Sequence, residues 1–77
     1  MRMASEPTAI EFTIRGEYIT LGQLLKAADI VGSGGEVKDF LLESGTTVNG
    51  ETEERRGKKL RPGDVVVFPG NRTITIR

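Results

Sequence analysis

The hydrophobic pattern divides the chain into short blocks with different periods. From Ala9 to Ile14 apolar and polar residues alternate, Ile10, Phe12 and Ile14 against Glu11 and Thr13, and Gly16 breaks the run; this is the period of a half-buried strand. Thr20 then fits a helix N-cap with Gln23 at the third helical position, a capping box, while Ile19 and Leu24 have the spacing of a hydrophobic staple. Leu21, Leu24, Leu25 and Ala28 recur at i, i+3, i+4 and i+7, which predicts one buried stripe and leaves Lys26 projecting from the other side. A second capping box, Ser33 with Glu36, opens a helix whose stripe is Val37, Phe40 and Leu41 and which Gly45 stops. The turn between the helices is expected around Gly32.

After Gly45 the period shortens again. Asn49-Gly50, set between Thr46-Thr47-Val48 and Glu51-Thr52-Glu53, predicts a hairpin, because a type I′ turn needs positive φ at both central residues. Pro62-Gly63 suits the centre of a type II turn. Val65 to Phe68 and Thr73 to Ile76 follow as two strands joined by a turn at Pro69-Gly70-Asn71. The expected fold class is α+β: two short helices packed on a small, mostly antiparallel sheet of about four to five short strands. Leu24, Leu25, Val37, Phe40, Leu41, Val48, Leu60 and Val66 are the candidate core. Residues 1–8 are expected to form a flexible N-terminal tail and residues 9–77 a single domain.

Composition removes several classes of chemistry. A chain of 77 residues buries only about 60% of the surface its unfolded form exposes, which leaves little interior for a deep substrate cavity. With no Cys and no His, a disulfide framework, a thiolate or imidazole metal site, a thiol nucleophile and the usual neutral-pH acid/base are all missing. No metal, cofactor or small-molecule substrate is therefore expected. Glu53-Glu54 and Asp64 are the available carboxylates, but adjacent acids in a turn region are ordinarily solvated, and an Asp after Pro-Gly is explained by turn chemistry. The apolar runs are too short to cross a bilayer, the N-terminus has no apolar segment of a secretory signal, and a cytoplasmic protein without a membrane partner is expected.

Charge changes the picture once the chain is divided. The formal net charge is zero, yet residues 1–54 hold four basic and ten acidic side chains while residues 55–77 hold seven basic ones and only Asp64. Five of those seven fall in Arg55-Arg56-Gly57-Lys58-Lys59-Leu60-Arg61, a density typical of phosphate-contacting segments. The alternative is a solvated loop whose cations answer Glu51, Glu53 and Glu54. The same polarity also permits a protein-protein interaction module that docks through its acidic and basic faces.

The span from Leu21 to Asp64 resembles a known family. A Leu-rich first helix, Ser33 opening a second, Gly45-Thr46-Thr47-Val48-Asn49-Gly50, and the closing Leu60-Arg61-Pro62-Gly63-Asp64-Val65 are similar to the αL RNA-binding motif, the domain named after small-subunit ribosomal protein S-four. Ser33-Gly34-Gly35 and Arg55-Arg56-Gly57-Lys58-Lys59-Leu60 point further to a small free-standing bacterial subfamily similar to YaaA and YbcJ. The resemblance implies a non-catalytic protein in which the helices and hairpin make a basic surface for structured RNA, ribosomal or transfer RNA, with a ribosomal particle as a possible partner. In larger relatives the domain is an appendage to a catalytic one, and no such partner domain is expected here. Many members carry Arg after the helix-opening serine, where this chain has Gly34, Gly35 and Glu36.

The candidate RNA-binding residues are Lys26, Ser33, Gly34, Gly35, Lys38, Asn49, Arg55, Arg56, Lys58 and Lys59. Several have a second explanation. Gly34 and Gly35 either cradle a phosphate with the unpaired amides of a helix start or simply make a tight interhelical turn. Lys38 either favours that phosphate or is a solvated helix-face lysine. Asn49 either contacts a base or ribose or satisfies the hairpin turn alone. Phe12, Phe40 and Phe68 follow the buried pattern, which leaves Tyr18 as the available stacking ring and makes shape and phosphate the expected basis of recognition.

Overall fold

A computed structural model describes residues 8–32, 34–70 and 72–77. Along the chain come β1 (Thr8–Phe12), β2 (Ile19–Thr20), α1 (Leu21–Ala27), α2 (Gly34–Ser44), β3 (Thr47–Val48), β4 (Glu51–Thr52), β5 (Lys59–Leu60), β6 (Val65–Phe68) and β7 (Arg72–Ile76). Five strands form one sheet in the order β1-β7-β6-β3-β4, and β2 pairs with β5 in a separate two-stranded ribbon. The β7-β6-β3-β4 run is antiparallel, and β1 joins its edge parallel to β7 with Ile10 opposite Ile74. The α+β class and the mostly antiparallel sheet are as expected. The β2–β5 ribbon is an addition, too short to leave a periodic signal.

Local chemistry explains the element ends. The Thr20 hydroxyl accepts from the Gln23 N–H at 3.3 Å and the Gln23 carboxamide accepts from the Thr20 N–H at 3.0 Å, so the first capping box is complete. α1 stops earlier than its stripe predicted. Asp29, at φ +61°, takes the left-handed position, and the N–H groups of Asp29 and Ile30 return to the carbonyls of Lys26 and Leu25 in a Schellman arrangement. Asp29, rather than Gly32, therefore makes the sharp turn. At α2 the Glu36 carboxylate accepts from the Gly32 N–H at 3.0 Å; Ser33, expected as its cap and as an RNA contact, lies outside the described residues, as do residues 1–7.

The hairpin and closing turn follow the predicted geometry. Asn49 and Gly50 have φ of +52° and +88°, as a type I′ turn requires. The Asp64 N–H donates to the Arg61 carbonyl across Pro62-Gly63, with Gly63 at φ +101°. The strand expected from Ala9 begins one residue sooner, and Ile14 continues its pairing by donating to the Arg77 carbonyl.

Leu21, Leu24, Leu25, Val37, Leu41, Val48, Leu60, Val66, Phe68, Ile74 and Ile76 form one buried cluster between the helices and the sheet. Phe40 departs from expectation. It is only half-buried, at the margin of the core with its ring centroid 6.3 Å from that of Phe68. Ile10, on the edge strand β1, is 45% exposed. No helix among the described residues is long and apolar enough to cross a membrane.

Candidate nucleic-acid interface

The basic segment is fastened to the fold at several points. The first two amides of α1, which a helix start leaves without intrahelical partners, donate to this segment: Leu21 N–H to the Lys58 carbonyl at 2.8 Å and Gly22 N–H to the Arg56 carbonyl at 2.9 Å. Lys58 N–H donates to the Arg55 carbonyl at 3.2 Å, closing the turn over Arg56 and Gly57. Beyond it Lys59 and Leu60 pair with Thr20 and Ile19, and the fully buried Leu60 pins the strand to the core. Backbone held this way presents its cations without a large ordering cost on binding.

Gly22 makes the docking possible. It is buried, and a Cβ there would stand 3.3 Å from Arg56 Cβ and 3.4 Å from the Arg56 carbonyl oxygen. A side chain at this position would crowd the basic turn and require it to shift against the helix.

The cations are not equivalent. Arg55 is joined to Glu53 through Nε at 2.9 Å and Nη2 at 3.2 Å, and its backbone N–H donates to the same carboxylate at 3.0 Å. The side-chain bond, then the backbone bond, with the charges of Arg55 and Lys58 behind them, hold the Glu53 carboxyl at about 2 despite its partial burial. Arg55 thus carries its own counter-ion, whereas the exposed Arg56, Lys59 and Arg61 form no ion pair among the described residues. Nearby, burial of Asp64 opposes its ionisation, but hydrogen bonds from the Arg61 N–H and the Asn49 amide, with the charges of Lys58 and Arg61, lower its pKa on balance.

Three surface hollows run along the segment. One lies between the hairpin and Glu53, Arg55 and Lys58; the next is bordered by Arg55, Gly57, Lys58, Lys59 and Arg61; the third joins Gly57 and Arg56 to Gln23, Lys26 and Val37. Shared residues make them a continuous strip from the hairpin to the start of α1. Residues 12–77 match the S4 domain family. This chain belongs to the S4-domain family. It is 53% identical over 58 residues, covering 75% of this chain and 82% of the relative, to a Bacillus subtilis (strain 168) protein named "Probable ribosome maturation protein RlbA". It is also 35% identical over 60 residues, 78% of this chain but 14% of the relative, to the tyrosine–tRNA ligase of Burkholderia lata. A generic RNA-binding role follows at the level of the family.

In this S4 domain the expected site residues fall into two groups. Lys26, Arg55, Arg56, Lys58 and Lys59 border the strip. Asn49 also reaches it, but both ends of its carboxamide are occupied, the nitrogen donating to Asp64 at 3.0 Å and the oxygen accepting from the Val65 N–H at 2.9 Å. It ties the hairpin to the closing turn, which gives a structural reason for pairing Asn-Gly with Pro-Gly-Asp. Gly34, Gly35 and Lys38 belong to α2, outside the lining of the three hollows, in company with Glu36, Asp39 and Glu43. Gly22 has no signal in the sequence, and Arg61, counted in the basic segment, is not among the expected site residues. Strand alternation could have found Arg61, since it places Lys59 and Arg61 on one side of β5 with the buried Leu60 on the other.

Proposed function

We propose that this S4 domain holds structured ribosomal RNA, within a particle undergoing maturation, through shape and phosphate contacts and without chemistry of its own. The carrying observation is the clamped basic turn: Arg56, Lys58 and Lys59 stand on backbone bonded to the start of α1, with Lys26 across the same hollow. Oligomeric RNA rather than a small ligand suits a long, open strip bordered by Lys26, Arg55, Arg56, Lys58, Lys59 and Arg61. The choice of ribosomal over transfer RNA leans on the name of the Bacillus subtilis relative, which this chain matches along most of that protein's length.

The test is sedimentation of tagged protein from a bacterial lysate through a sucrose gradient. Co-migration with ribosomal subunits or their precursors, lost when Lys26, Arg56, Lys58 and Lys59 are changed together to Gln, supports the reading. Co-migration with transfer RNA would transfer the proposal to that RNA. Purified protein free of nucleic acid, with no ribonuclease-sensitive absorbance at 260 nm, would overturn it.

A further inference from the structure

We propose that Tyr18 and the hollow beside it receive one unpaired nucleobase of the bound RNA, with Lys59 and Arg61 serving the phosphates of that nucleotide. This rests on the RNA-binding reading above and adds to it a base-stacking subsite.

The ring is unusual in its setting. Tyr18 is 43% exposed, and two cations lie against it, Lys59 Nζ at 4.9 Å and Arg61 Cζ at 5.9 Å from its centroid. The ribbon register produces this arrangement: Ile19 opposite Leu60 and Thr20 opposite Lys59 bring Tyr18 across from Arg61, with Lys59 on the diagonal. Because side chains alternate along a strand, both cations share the side of β5 that faces away from the buried Leu60. An aromatic face flanked by cations offers what a single-stranded nucleotide needs, a platform for the base and charge for its phosphates.

A hollow of about 360 Å³ adjoins the ring, within the size range of small-ligand sites. Its apolar lining comes from the half-buried Phe12, Ile14 and Ile19, and the exposed Arg15 stands among its lining residues. A base laid against Tyr18 would cover apolar surface there. On the other side, Lys59 and Arg61 also border the basic strip next to Lys58. Lys59 and Arg61 therefore lie both on the strip and against Tyr18, and link the two. A purely structural role, cation–π pairs fastening a two-residue ribbon, would require the ring but would give it no part in RNA affinity.

Tyr18 is the single tyrosine of a chain without tryptophan, so intrinsic fluorescence reports this site alone. The probes are a stem-loop RNA with an oligoadenosine loop and the same stem as a blunt duplex. The stem-loop should quench Tyr18 emission beyond the inner-filter loss measured with N-acetyltyrosinamide, and the blunt duplex should not. Tyr18→Leu should weaken the stem-loop about tenfold while leaving the duplex unchanged, and Tyr18→Phe should bind both as the wild type does. Equal binding of both probes with unchanged Tyr18 emission would overturn the stacking subsite and leave the RNA reading standing. Failure of the wild type to bind either probe would overturn both. Because the emission test uses unmodified protein, the proposal stays falsifiable even where Tyr18→Leu does not fold.

Discussion

The two helices begin with the same sequence device and are used in opposite ways. α1 has a complete Thr20–Gln23 capping box, yet its first two amides donate to the carbonyls of Lys58 and Arg56, so its N-terminus serves as the mount for the basic turn. α2 opens with Gly34 and Gly35 but carries Glu36, Asp39 and Glu43 on its exposed side and contributes Val37 and Leu41 to the core. Free amides at a helix start attract anions only where the surrounding field permits it. At α1 the amides are already occupied by protein oxygen, and at α2 the acidic side chains oppose a phosphate. The molecule thus has a basic flank organised around α1 and an acidic flank along α2, and a net charge of zero conceals both.

The comparison breaks first on packing. Leu24→Ala in α1, at a position with no exposed surface, should cost about 2–5 kcal/mol, of the order of the whole stability of a domain this small. Phe40→Ala in α2, where the ring is half-buried, should cost only about 1–2 kcal/mol. Thermal melts followed by circular dichroism check the pair, and equal losses would contradict the difference in burial.

Gly22→Val tests the mount itself. The added atoms meet Arg56 and Val37, and a destabilisation of about 1–3 kcal/mol is expected from the overpacking. RNA affinity should fall by more than the loss of folded protein explains, because the basic turn is displaced; titrations well below the melting temperature separate the two effects.

Glu53 offers a pH-dependent version of the same comparison. Its carboxyl sits at about 2 in the folded protein against 4.5 for the ordinary group. A depressed folded pKa contributes stability that is fully present above the unfolded value and is lost as the pH falls from 4.5 toward 2. In Glu53→Gln the decline of melting temperature across that window should be shallower, with a remainder from Asp64, whose pKa is also lowered. The smallest effect expected is at the end of α1. Asp29→Gly relieves a left-handed backbone at φ +61° and removes a negative charge from a helix C-terminus, for a gain of about 0.5 kcal/mol in the same melts.

Much of this was legible in the sequence where a local rule decides the outcome. The Thr20–Gln23 box, the Asn49-Gly50 turn and the Pro62-Gly63 turn depend on neighbours in the chain, and each has the expected geometry. The contacts that position the candidate interface are non-local. Nothing in the period of Ile19-Thr20 or Lys59-Leu60 announces that they pair, nor that Gly22 must be small because Arg56 lies against it. The density of cations in the segment from Arg55 to Arg61 was visible, but the pairing of Arg55 with Glu53, which sets that arginine apart from Arg56, required their geometry. Phe40 is only half-buried: helical spacing identifies a face and not how deeply the partner element covers it.

If the turn mounted on α1 holds RNA phosphates, RNA affinity must depend on salt. The direct measurement is the salt dependence of affinity for a stem-loop RNA, taken for the wild type and for the variant with Lys26, Arg56, Lys58 and Lys59 all changed to Gln. With roughly three to five phosphates engaged at about −0.7 each, log affinity against log salt should have a slope of about −2 to −4 in the wild type. The variant should show a slope closer to zero and weaker binding at low salt, with an unchanged melting curve. A wild-type affinity independent of salt, or identical slopes for the two proteins, would contradict the account.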